Sequence, residues 1–122
     1  RESRGAGAAA CGAGGGVASR NGVARRVDRR IARIARHYGL GPQLAKTCEE
    51  LWELFVAVLK LRLAKWLGRD TASQEQHVLE EMADVRIMLD QIELLLSGAG
   101  TCARIRTAKL ERQLSRIEST TN

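Results

Sequence analysis

From Val23 to Tyr38 the chain sets Val27, Ile31, Ile34 and Ala35 at helical spacing, with arginines on the opposite face. Apolar residues returning every three to four positions mark one buried face of a helix, so this stretch predicts a short amphipathic helix ending at Gly39. Pro42, preceded by Gly41 as a permissive cap, suits the first position of a second helix reaching about Leu67. Its apolar arc is Leu44, Leu51, Leu54, Phe55, Val58 and Leu59. Gly68, Asp70, Thr71 and Ser73 break the pattern, and Thr71 or Ser73 is placed to cap a third helix running to Leu96. Ser97, Gly98 and Gly100 end it, and a fourth helix from near Thr101 carries Ala103, Leu110, Leu114 and Ile117 on one stripe. No β-hairpin signal interrupts the series. The expected fold is all-α, an antiparallel bundle of about four helices.

The third helix is apolar on more than one side. Val78, Met82, Val85, Leu89, Ile92 and Leu96 form one arc, and Leu79, Ala83, Ile87 and Leu94 lie largely outside it. A helix buried on two sides needs two neighbours. A chain of 122 residues has room for one domain and only a small core, so part of this surface is expected to be covered by a second subunit.

Composition refines that picture. Seven of the 12 glycines fall within residues 1–23, a segment too poor in apolar side chains to offset the entropy of ordering it. We therefore expect a Gly/Ala/Arg-rich disordered tail over 1–23 and an all-α domain over 24–118. The formal charge of +6 is unevenly spread: residues 1–36 hold nine arginines against Glu2 and Asp28, whereas residues 37–122 hold eleven basic and twelve acidic groups. The basic arm matches the composition of an organelle transit peptide or a weak, non-specific contact to phosphates, but a solvated arm is the simpler reading, and nucleic acid is not the expected partner. Cys11, Cys48 and Cys102 stand far apart without a CxxC pair, which implies neither a disulfide framework nor a zinc site. No run of about eighteen apolar residues offers a membrane span, and the expected location is cytoplasmic.

The chemistry lies in the acids. Glu49, Glu50 and Glu53 on the second helix stand three and four residues apart, which brings carboxylates onto neighbouring turns. Gln43, Lys46, Glu50, Glu53, Ala57 and Lys60 share a stripe bordering the apolar arc. On the third helix Glu81 and Asp84 share a stripe with Met88, Gln91 and Leu95. Acids in line with core residues point inward, where desolvation and mutual repulsion demand a compensating cation. If the two helices pack antiparallel through the short 68–73 turn, Glu50 and Glu53 face Glu81 and Asp84. Four hard oxygen donors without His or Cys suit Mg²⁺, with Mn²⁺ as a substitute, rather than zinc. The plain alternative is a solvated acidic face. Lys46 and Gln43 precede Glu50 on the same stripe, positions from which they would contact a phosphate and a base, or simply water. Trp52 and Trp66 read as core or interface packing, and His37 and His77 as ordinary surface histidines.

EELWE at 49–53 followed by EMAD at 81–84, with HYGLGPQLAKTCEEL leading in and AKLERQL near the end, resembles the MazG-like branch of the all-α nucleoside triphosphate pyrophosphohydrolases over about residues 30–118. The resemblance implies a dimer or tetramer that cleaves a nucleoside triphosphate between the α and β phosphates, giving the monophosphate and pyrophosphate. It implies Glu50, Glu53, Glu81 and Asp84 as Mg²⁺ ligands, Glu49 as support for the ligands or acceptor of the water's proton, and Lys109 and Arg112 as phosphate contacts. The Gly/Ala/Arg tail has no counterpart in the family pattern. The competing class is a non-catalytic helical interaction module whose basic N-terminal arm recruits an acidic partner or nucleic acid.

Overall fold

The computed structural model describes residues 28–121, and the expected tail and the start of the first helix, residues 1–27, lie outside them. The described residues form four helices and no strand: α1 (Arg29–Tyr38), α2 (Leu40–Trp66), α3 (Ala72–Leu96) and α4 (Thr101–Thr121). No helix among them is long and apolar enough to cross a membrane.

Local chemistry fixes the boundaries. Asp28 caps α1 by accepting the Arg30 backbone N–H at 2.9 Å, and the Arg30 guanidinium returns to the same carboxylate at 2.8 Å. These contacts hold the Asp28 carboxyl down at about 2. Gly39, with φ at 81°, both ends α1 and opens α2, a backbone turn that a side chain would strain. Because α2 starts at Leu40, Pro42 occupies its third position rather than its first. The placement is tolerated because the N–H groups of a first helical turn have no partner within the helix. At the far end Gly68 N–H reaches the Lys65 carbonyl and Arg69 N–H the Ala64 carbonyl, closing the helix with a left-handed glycine. Thr71, one of the two expected residues, stands at the N-cap of α3, but its side chain does not do the capping. Asp70 accepts the Ala72 N–H at 3.2 Å, while Thr71 spends its hydroxyl on Glu75 and Ser73 lies inside the helix.

α2 and α3 form an antiparallel hairpin. Gln43 meets Gln91 near one end and Lys65 meets Glu75 near the other. The buried row on α2 is Gln43, Thr47, Glu50, Ala57 and Ala64, with Leu54 and Leu61 half-buried between them. On α3 it is Val78, Val85, Met88 and Gln91, with Gln74, Glu81, Ile92 and Leu95 half-buried. Alternating steps of mostly three and four residues keep each row facing its partner, as in a coiled-coil seam. α1 packs mainly on α3 and less on α2, burying Ala35 completely.

Of the expected apolar arc of α2, Leu54 alone lies along this seam. Leu44, Leu51, Phe55, Val58 and Leu59 are exposed, and the adjacent stripe of Gln43, Glu50 and Ala57 is buried instead. Small residues explain the choice, since Ala57 and Ala64 allow the hairpin helices to approach closely where leucines would hold them apart. α3 divides likewise: Val78 and Val85 are buried, Met82 and Ile92 half-buried, Leu89 and Leu96 exposed. α4 buries none of its residues, and its stripe of Leu110, Leu114 and Ile117 faces outward. It is tied to the end of α3 through the Cys102 N–H, which donates to Glu93 Oε2 at 2.6 Å.

The resulting core is slight. Among the described residues its buried apolar members are Ala35, Ala57, Ala64, Val78, Val85 and Met88, against nineteen large apolar residues left exposed. Fully burying a large apolar side chain contributes about 1.5–3 kcal/mol, a gain that only Val78, Val85 and Met88 collect here in full.

Candidate metal centre

Midway along the hairpin the seam turns acidic. Glu50 and Glu53 on α2 and Glu81 on α3 each offer an oxygen to one cluster, these oxygens lying within 4.8 Å of one another. Glu50 is 7% exposed, Glu81 is half-buried and Glu53 opens the cluster to solvent. Helix geometry accounts for the grouping: Glu50 occupies the buried row, Glu53 stands one turn further along on the polar flank, and the antiparallel seam brings Glu81 opposite them.

The electrostatics are unbalanced. Glu50 Oε2 and Glu81 Oε2 are both buried without a hydrogen-bond partner. Burial pushes the Glu81 carboxyl above its ordinary range and Glu53 pushes it further; His77 pulls the other way, more strongly than either Asp84 or Glu50 adds to the rise. Among the described residues, the Lys46 ammonium and the His77 imidazole border the cluster. Lys46 Nζ lies 3.1 Å from Glu50 Oε1 and 3.5 Å from Glu49 Oε2, and His77 Nε2 lies 3.8 Å from Glu81 Oε1. Neither touches the orphaned oxygens.

This arrangement fits a small hard cation. An octahedral ion with ligands at about 2.0–2.1 Å holds neighbouring oxygens about 3 Å apart and opposite ones about 4 Å apart, so the cluster needs only side-chain adjustment to close on one. Carboxylate oxygens alone, without sulfur or imidazole in the cluster, favour Mg²⁺ or Mn²⁺ over zinc.

The structure distributes the other expected site residues unevenly. Asp84 is exposed and stands outside the three-carboxylate group, although close enough to raise Glu81. Glu49 is exposed on the outer flank, paired with Lys46. Gln43, expected to meet a base, is instead buried: its Nε2 donates to Gln91 Oε1 at 2.6 Å, and Thr47 donates to its carbonyl oxygen. That bond turns the Gln43 amide into the seam between α2 and α3. Lys109 and Arg112 are exposed on α4, which does not pack along the acidic seam. Trp52 and Trp66 are both exposed, Trp52 stacking on Phe55 with ring centroids 5.6 Å apart. His77, read from the sequence as an ordinary surface histidine, is exposed, and its four-residue spacing from Glu81 places it beside that acid.

No protein-family model matches the chain, and neither the curated proteins nor the solved structures contain a match.

Proposed function

We propose that this chain is an Mg²⁺-dependent nucleoside triphosphate pyrophosphohydrolase of the MazG-like all-α type, converting a (d)NTP to the (d)NMP and pyrophosphate. The observation that carries the reading is the inward convergence of Glu50, Glu53 and Glu81, with buried, unpaired oxygens on Glu50 and Glu81. Glu50, Glu53 and Glu81 would hold the ion, and Asp84, one turn beyond Glu81, would join by a change of side-chain rotamer. A bound divalent ion neutralises and orients a polyphosphate and lowers the pKa of a coordinated water. Around it Lys46 offers positive charge toward the phosphates, and Glu49 is the nearby exposed carboxylate able to take a proton. Lys109 and Arg112 contribute only when an α4 helix, from the same or a second copy, lies across the site.

The active species in this reading is a homodimer or homotetramer. At 100° per residue, Leu44, Leu51, Phe55 and Val58 run along one flank of the α2 buried row, while Lys46, Glu49 and Glu53 run along the other. Leu59, Leu63, Leu89 and Leu96 add further exposed apolar side chains to the hairpin, and a standard stable interface takes about 800 Å² from each partner. A second copy meeting this flank leaves the acidic flank open to substrate.

Purified protein with Mg²⁺ should release pyrophosphate, not orthophosphate, from at least one of a panel of standard and modified nucleoside triphosphates. Glu53→Gln and Glu81→Gln should abolish turnover with the helical circular dichroism intact, whereas Asp84→Asn should slow it about tenfold, as expected of a residue supporting the ligands. No pyrophosphate across the panel, together with no Mg²⁺-linked rise in melting temperature, rejects the reading. Salt-sensitive binding to an acidic partner, lost on deleting residues 1–36 and indifferent to Glu53→Gln, would favour the interaction module instead.

A further inference from the structure

Among the described residues, Lys46 is the one cation that reaches the buried acid of the cluster. Its ammonium lies 3.1 Å from Glu50 Oε1, on a carboxylate whose side chain is 10% exposed, while Lys46 itself is half exposed. The other oxygen of the same carboxylate, Oε2, is buried and unpaired. Glu50 is thus divided between a lysine at its outer oxygen and an unsatisfied position at its inner one. A full positive charge held this close opposes the arrival of a divalent ion at the same carboxylate, both by occupying a ligand atom and by repulsion across a partly desolvated space. The lysine also has somewhere to go. Its second partner, Glu49 at 3.5 Å, is exposed, and its four-carbon stem lets the ammonium swing along the polar flank.

Resting on the pyrophosphohydrolase reading of this site, we infer that Lys46 is an internal competitor for the metal position. It holds Glu50 until the divalent cation takes that carboxylate, and the released ammonium then pairs with the anionic polyphosphate. Lys46 is therefore a positioning residue, coupling ion binding to phosphate binding. The coupling has opposite signs on the two ligands. Removing the charge strengthens the cation and weakens the polyphosphate, a pattern that a surface lysine or a merely stabilising ion pair does not produce.

The test uses the full chain, Mn²⁺ alone followed by electron paramagnetic resonance, and inorganic triphosphate at saturating Mg²⁺ followed by calorimetry. Lys46→Met keeps most of the apolar stem at a half-exposed position, so its helical circular dichroism should match the parent. It should bind Mn²⁺ about threefold more tightly, the fold-change expected from removing one partly exposed competing ion pair, and bind inorganic triphosphate several-fold more weakly. Lys46→Arg, which keeps the charge, should return both affinities toward the parent values. Unchanged or weaker Mn²⁺ binding by Lys46→Met overturns the inference, as does unchanged triphosphate binding. If Glu53→Gln loses Mn²⁺ while Lys46→Met behaves like the parent, the metal centre stands and only the role of Lys46 falls. If the parent chain binds no Mn²⁺ at all, both fall together.

Discussion

Glu81 stands in electrostatic conflict, with Glu53, Asp84 and Glu50 around it and, among the described residues, His77 to offset them. Its folded carboxyl binds a proton more tightly than the unfolded one, so its contribution favours the fold below the unfolded value and is lost as pH rises through the folded value. With divalent ions chelated, the melting temperature should therefore fall as pH is raised from about 4. Saturating Mg²⁺ should flatten that decline, and so should Glu81→Gln. Thermal melts across the pH series check this, and a melting temperature that rises over the same range in the chelated protein would contradict it. Glu50, Glu53 and Glu81 were legible in the sequence because acids at three- and four-residue spacing sit on one helical face, and alignment with Met88 and Gln91 turned the second set inward. Gln43 was not legible. A glutamine reads as polar whether it faces water or another amide, and its partner Gln91 lies 48 positions away.

On the scale of elements, the positions of the helices followed from apolar spacing, glycines and turn residues, but which face of α2 became buried did not. Hydrophobicity favours the leucine-rich arc, whereas the hairpin buries the stripe with alanines, because helices that approach closely need small side chains at the seam. The same ambiguity marks the start of α3: Thr71 takes the N-cap position, yet it is the neighbouring Asp70 that accepts an end N–H, and only the path of the chain selects among such polar neighbours. The displaced arc makes a prediction of its own. Phe55→Glu and Leu51→Glu alter residues already exposed in one chain, so an isolated monomer should keep its helices and its melting temperature. In the proposed assembly each substitution instead places a charge in an apolar interface, and sedimentation should show the oligomer dissociating at micromolar concentration. Parent protein that sediments as a monomer, with the variants indistinguishable from it, would remove this flank from the account.

At the scale of the whole molecule, the division of labour is spatial. α2 and α3 hold the acids on one side of the hairpin, large apolar side chains cover the other, and α4 leaves the end of α3 with its own apolar stripe uncovered. Such a layout was only partly readable from the chain, because periodicity identifies an apolar face without saying whether it meets its own chain or another. The expected approach of Lys109 and Arg112 to the acids depends on that unknown, as both ride on α4. Everything functional, by contrast, turns on whether Glu50, Glu53 and Glu81 grip one ion. Crystals of the full chain grown with Mn²⁺ and inorganic triphosphate test this most directly through anomalous scattering. The account predicts a manganese peak at bonding distance from oxygens of all three carboxylates. An empty cluster at saturating Mn²⁺, with these side chains turned apart, would contradict it.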